Sequence, residues 1–255
     1  MGCTYRFQPL KEADEVAETA ARAFARASVY ERVWLHAVLE TPLLRARAEP
    51  LAAFHGQRLV GLGVSISGLF PFRLVALDGS LPGVASQLFA RLDPPFVCKV
   101  PARLAREIAQ AGGRAVRRER ELVRFDPAHA LPALEPQLER LSDPNELARF
   151  CGPSFAPLEL ELAPFLGIRD SFGELASVAG GRLLTERVAL LGHLETRDDY
   201  RRLGFAKSLA AALTCALESR ERRVVAFVAE GERAAEHLLT GLGFRGAHDF
   251  AVFAR

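Results

Sequence analysis

The stretch that decides the fold is Val188-Ala-Leu-Leu-Gly-His-Leu-Glu-Thr-Arg-Asp-Asp-Tyr-Arg-Arg-Leu-Gly-Phe-Ala-Lys-Ser-Leu209. Val188 to Thr196 is rich in apolar residues and reads as a strand. Arg197 to Gly204 is a polar, glycine-containing turn. Phe205 to Arg220 reads as a helix whose apolar stripe includes Phe205, Leu209, Ala212, Leu213 and Ala216. The first amides of a helix have no carbonyl partner within it, and the helix dipole adds partial positive charge there. A phosphate placed at that end meets converging N–H donors. Gly204 removes a side chain where a ligand must approach the backbone, and Ala206 does nearly the same. Arg201, Arg202 and Lys207 add positive charge. Arg202 to Lys207 therefore fit a phosphate or pyrophosphate cradle. They also fit a plain strand–turn–helix with structural glycine and solvated arginines, and the turn alone does not separate the two.

Upstream, Phe165 to Arg169 and Glu174 to Leu184 read as strands joined by the turn Asp170-Ser-Phe-Gly173. Glu146 to Phe150 closes a short helix. Downstream, Arg222 to Ala229 is a strand, Glu232 to Thr240 a short helix ended by Gly241-Leu-Gly-Phe244, and His248 to Phe253 a last strand. The front half has the same mixture. Glu12 to Arg26 shows helical spacing through Val16, Ala20, Ala23 and Phe24, and Val29 to Leu39 follows as a second helix. Strands are expected at 51–54, 58–67, 72–77, 96–100 and 116–125, and helices at 84–92 and 102–111. Asp126 to Pro136 carries three prolines and no clear period, so the boundary is placed there: lobes 1–126 and 127–255. The shared order of hairpin, strand and helix is compatible with a distant duplication.

Arg201, Gly204 and Ala206 fill the pattern Arg/Gln-x-x-Gly-x-Gly/Ala, and the segment resembles the acyl-CoA-binding motif of the GNAT superfamily of N-acetyltransferases. Val224 to Val228, Glu232 to Leu239 and Leu242-Gly-Phe244 resemble the next signature, and the match runs from about Leu141 to Arg255. The resemblance implies an α/β (α+β) GNAT fold: a mixed, mostly antiparallel sheet flanked by helices, with a smaller, degenerate GNAT-like N-terminal lobe. It implies acetyl-CoA as cosubstrate. The pyrophosphate would lie on the amides of Arg202, Leu203, Gly204, Phe205, Ala206 and Lys207, with Arg201 as a further cofactor-binding residue, and the pantetheine arm along Leu194, Glu195 and Thr196, as an added strand would. A small-molecule or protein amine would be the acceptor. Asp198 stands where the family often has proline, Leu239 where many members have tyrosine, Leu190 where some have glutamate, and Glu232 where asparagine is frequent.

Direct attack by an amine requires it neutral, so a base is needed. His193 and Glu195 lie two apart on the central strand, hence on one face, and either can take a proton. Both also fit structural or solvated roles. Alongside the N-acetyltransferase reading stands a catalytically silent acyl-CoA-binding or regulatory protein that kept the cradle and lost the chemistry.

Composition narrows the rest. In 255 residues, 33 Lys+Arg against 31 Asp+Glu leave a formal +2, too balanced for nucleic acid as the main partner. Arg114 to Arg124 is a basic run interleaved with glutamates and reads as a solvated face. Gly61, Gly63 and Gly68 lack dinucleotide-loop spacing. Cys3, Cys98, Cys151 and Cys215 are scattered, and the histidines show no ligand spacing, so no disulfide framework or metal site is expected and a cytoplasmic setting is the default. Cys215 is expected to pack. No stretch has the roughly 20 apolar residues of a membrane span, and no signal peptide is apparent, nor does Met1-Gly2-Cys3 meet the acylation pattern. A homodimer stays open.

Overall fold

The computed structural model describes residues 4–10, 14–126 and 138–255. Met1 to Cys3 and all of the expected boundary segment except Asp126 lie outside them. The chain forms two compact units, Met1–Glu119 with His248–Arg255, and Arg120–Ala247. The sequence suggested one cut after residue 126. The units differ from that cut chiefly in the chain end, because the last strand pairs antiparallel with Val97–Pro101 from Phe250 to Ala254 and so joins the first unit.

The first unit runs β1 (Arg6–Pro9), α1 (Glu15–Arg26), α2 (Val33–Glu40), α3 (Pro42–Arg45), β2 (Ala48–His55), β3 (Arg58–Ile66), β4 (Leu74–Gly79), α4 (Val84–Ala90), β5 (Val97–Pro101), α5 (Ala105–Gln110) and the start of β6 (Arg114–Arg124). Its strands neighbour in the order β1-β2-β3-β4-β5. Asp14 caps α1 by accepting from the Ala17 amide at 3.0 Å. The buried face of α1 is Ala17, Ala21 and Ala25, four apart, whereas Val16 is 83% exposed. The sequence put Val16, Ala20, Ala23 and Phe24 on that face. Small side chains take it instead, because they let the helix lie closer to its neighbours. The Arg32 guanidinium covers the Phe24 ring. Val75, Leu77, Leu88, Phe89, Cys98, Val100 and Ile108 centre the core, each worth about 1.5–3 kcal/mol when a large aliphatic or aromatic chain is buried.

The second unit takes the end of β6, then β7 (Glu139–Leu141), α6 (Pro144–Cys151), α7 (Glu159–Leu162), β8 (Phe165–Arg169), β9 (Leu175–Leu184), β10 (Val188–Thr196), α8 (Phe205–Leu217), β11 (Arg223–Ala229), α9 (Arg233–Gly241) and the start of β12 (Phe244–Ala254). The order is β11-β10-β9-β8-β7. Asp170 closes the β8–β9 hairpin by accepting from the Phe172 and Glu174 amides at 2.9 and 3.0 Å. α8 stops at Leu217, before the expected Arg220, because Glu218 turns extended. Residues 209–214 and Leu217 form its buried side, so Cys215 and Ala216 face outward. Cys215 is exposed rather than packed.

The basic run on β6 is only partly solvated. Its first five residues are exposed, but Glu119, Glu121 and Arg124 are buried. Glu119 accepts from Lys99 at 2.6 Å. Arg124 donates to the Leu242 carbonyl at 3.0 Å and pairs with Glu218. Burial of Glu119 and Arg124 is tolerated because each meets an opposite charge.

The same series of pairings occurs in each unit. β2–β3 and β3–β4 are antiparallel and β4–β5 parallel, and β8–β9 and β9–β10 are antiparallel and β10–β11 parallel. In each unit a helix, α4 or α8, bridges the parallel pair.

Candidate functional site

The parallel ladder between β10 and β11 runs from Val188↔Arg223 to Leu191↔Ala226 and ends there, although both strands continue. On its other edge β10 stays paired with β9 as far as Thr196↔Ser177. Leu194 to Thr196 therefore have a ladder on the β9 side and, among the described residues, none on the β11 side. The β9 register shifts between Leu190 and Leu191 and again between Leu191 and Leu194. Such bulges turn a strand and re-aim its side chains.

Beyond Thr196 the chain makes a 3-10 turn, Asp198–Tyr200, and enters α8 through two left-handed residues, Arg202 (φ +64°) and Gly204 (φ +89°). Arg202 is the one non-glycine residue with positive φ among the described residues, a conformation disfavoured for an L residue. A Cβ on Gly204 would meet nothing within 4 Å. The helix start has no side-chain cap, and its first internal bond is Ser208 N–H to the Gly204 carbonyl at 3.0 Å. Tyr200 stacks on Phe205 at 6.1 Å between ring centroids and donates to Asp170 at 3.1 Å, which anchors the turn. Leu203 is exposed, and Arg201 pairs with Asp198 at 2.8 Å.

The two candidate bases part company. His193 is buried, with Nε2 at 2.8 Å from Glu159 Oε2 and Nδ1 at 3.4 Å from Glu195 Oε1. Phe155 and Phe165 flank its ring. Glu159 is wholly buried; it pairs with Arg182 at 2.6 Å and accepts from the Ala156 amide at 3.1 Å. Burial opposes charging of the ring, but hydrogen bonds to Cys151, Glu159 and Glu195 outweigh it and the repulsion from Arg182. The His193 pKa is pushed up to about 10. His193 is therefore an imidazolium near neutrality and holds no free lone pair. Glu195 is the partner that reaches solvent, with 39% of its side chain exposed.

Arg182 reaches Glu159 because of Gly192. A Cβ there would stand 2.2 Å from Arg182 Cγ, so only glycine lets the arginine cross β10 at the bulge. Sequence reading found His193 and Glu195 but missed Cys151, Glu159 and Arg182. They come from α6, α7 and β9, and no spacing in the chain links them. Leu239 and Leu190 are buried, as plain core residues.

The first unit has a counterpart of the cradle that is filled. The Ser86 amide in the first turn of α4 donates to the Glu107 carboxylate at 2.7 Å, so the protein's own anion occupies that helix end.

These features, a strand pair that parts and a bare helix start reached through a left-handed turn, define a GNAT fold. Comparison with known proteins agrees. Residues 165–251 match the family described as FR47-like protein. A Drosophila protein of known structure superposes with a TM-score of 0.74 at 16% identity, covering 98% of each chain. A tandem GNAT protein from the clavulanic acid biosynthesis pathway gives 0.62 at 16% identity, over 99% of this chain and 98% of that one. A GCN5-related N-acetyltransferase from Sphaerobacter thermophilus gives 0.62 at 16% identity, over 98% and 95%. No curated protein sequence matches. The chain accordingly has the GNAT fold over its whole length, similar to tandem GNAT structures, and its residues 165–251 resemble the FR47-like family. Among the described residues no helix is long and apolar enough to cross a membrane.

Proposed function

We propose that this protein is an acyl-CoA-dependent N-acetyltransferase whose chemistry resides in the second unit. The observation that carries the reading is the end of the β10–β11 ladder at Leu191↔Ala226, immediately before Glu195 and the uncapped start of α8. Acetyl-CoA, when bound, supplies an activated acetyl group. The residues present fit it: the amides of Phe205, Ala206 and Lys207, with Gly204 open above them, suit a diphosphate. Arg201, Arg202 and Lys207 add charge, and Leu203 adds apolar surface. The β11-side backbone of Leu194, Glu195 and Thr196 suits an extended amide-bearing arm. The corresponding helix end in the first unit is closed by Glu107.

Glu195 is the base in this reading. Its carboxylate takes a proton from the incoming ammonium so that the nitrogen can present a lone pair. His193 serves as a positioning residue: pinned by Glu159 and flanked by two phenyl rings, it holds Glu195 at the end of the strand. No tyrosine lies on α9, so the departing thiolate takes its proton from water. A thiol pKa near 8.5 makes that step easy. The acceptor is an amine, small or carried on a protein, and a cytoplasmic setting suits the free thiols.

Leu239, buried where many relatives of this fold carry tyrosine, favours the second reading of a silent acyl-CoA binder. Calorimetry with acetyl-CoA and thiol release against a panel of amines separate the two. Heat with turnover supports the enzyme, and heat with no turnover on any amine supports the silent protein. Neither heat nor turnover in folded material overturns both. In the enzyme, Glu195→Gln lowers kcat by about 10²–10⁴ with acetyl-CoA affinity little changed.

A further inference from the structure

We propose that Cys151, His193 and Glu195 form a binding site for a zinc-class divalent cation. One ligand atom from each lies within 4.8 Å of the other two. The three come from the end of α6 and from β10, brought together at the bulge that sends His193 inward.

The donor set is the chemistry that borderline-soft cations select: a thiolate, an imidazole and a carboxylate. The spacing agrees. His193 Nδ1 and Glu195 Oε1 are 3.4 Å apart. Two ligands each about 2.1 Å from a tetrahedral ion stand about 3.4 Å from one another. The outer partners agree as well. The other ring nitrogen, Nε2, faces the buried Glu159 carboxylate at 2.8 Å, and Arg182 and the Ala156 amide hold that carboxylate in turn. A carboxylate behind the imidazole orients a metal-binding histidine and raises its basicity. Cys151 and His193 are buried, whereas Glu195 reaches solvent, so three protein ligands would be joined by water in a fourth, open position. Ser154, whose hydroxyl lies 3.4 Å from Glu195 Oε1, is the remaining polar neighbour.

Binding replaces the Cys151 thiol proton and the His193 Nδ1 proton, so two protons leave as the ion enters and affinity rises with pH. The inference does not depend on acetyl transfer, although an ion here would engage Glu195 and so oppose a base role for it.

The test is titration of the whole metal-free protein with Co²⁺, then Zn²⁺. One equivalent of cobalt should give a thiolate-to-metal charge-transfer band with tetrahedral d–d bands, and zinc should abolish them. Cys151→Ser and Cys151→Ala should lose the charge-transfer band, Cys215→Ser should keep it, and Glu159→Gln should weaken affinity about 10–100-fold. No band in the wild type, or the same band in folded Cys151 variants, overturns the proposal. Should those variants unfold, X-ray absorption of the zinc-loaded wild type decides. One sulfur among the first ligands supports the site, and a shell of nitrogen and oxygen alone overturns it.

Discussion

Glu159→Gln is the sharpest probe of the buried network. Glu159 carries the charge that faces both Arg182 and His193. His193 has an ordinary pKa of 6.5 when unfolded and about 10 in the native protein. A raised pKa means stability that is fully present below about pH 6.5 and is lost as pH rises through 10. The window spans about three and a half units, and each is worth about 1.4 kcal/mol, so His193 protonation contributes up to roughly 5 kcal/mol at its low-pH end. Glutamine keeps the shape and removes the charge. Burial and Arg182 then oppose the imidazolium with only the hydrogen bonds to Cys151 and Glu195 left to favour it, and the His193 pKa falls. Removing one partner of a buried pair costs about 3–5 kcal/mol. The variant should therefore be destabilised by that order near pH 7, with a penalty that shrinks as pH approaches 10. Urea unfolding of both proteins at intervals between pH 6.5 and 10 reads it directly. A wild-type stability that is flat over this range, or a penalty constant with pH, refutes the reasoning. So does a His193 ring that titrates near 6.5 by NMR in the wild type.

Other expectations are simpler. Gly204→Ala forces an L residue into the left-handed region at a cost of about 1–2 kcal/mol, and Gly204→Glu in addition brings a carboxylate to the helix start. Both should stay folded, and acetyl-CoA affinity by calorimetry should fall at least tenfold for the glutamate variant. Gly192→Val cannot coexist with the path of Arg182, so it should lose more stability than Gly192→Ala, as thermal unfolding would show. Glu107→Ala should cost about 1 kcal/mol through the lost acceptor at α4. Calorimetry on that variant should still show one acetyl-CoA per chain, because α4, seven residues long, is too short to form a second cradle.

The sequence by itself determined what is local. Runs rich in apolar residues, bounded by turn residues, made β8, β9 and β10 legible, Asp170 and Gly173 announced the β8–β9 hairpin, and the glycine-containing turn made the start of α8 readable. Its spacing also put His193 and Glu195 on one face of a strand. Only the tertiary structure decided what those two residues are. His193 and Glu195 look alike along the chain, but packing brings Glu159, Arg182 and Cys151 against the first and leaves the second at the edge. Charge, burial and dielectric depend on neighbours in space, and these come from α6, α7 and β9 with no sequence period to connect them. The same holds for the buried face of α1, which close packing assigns to alanines, and for the chain end, which backbone pairing with β5 assigns to the first unit.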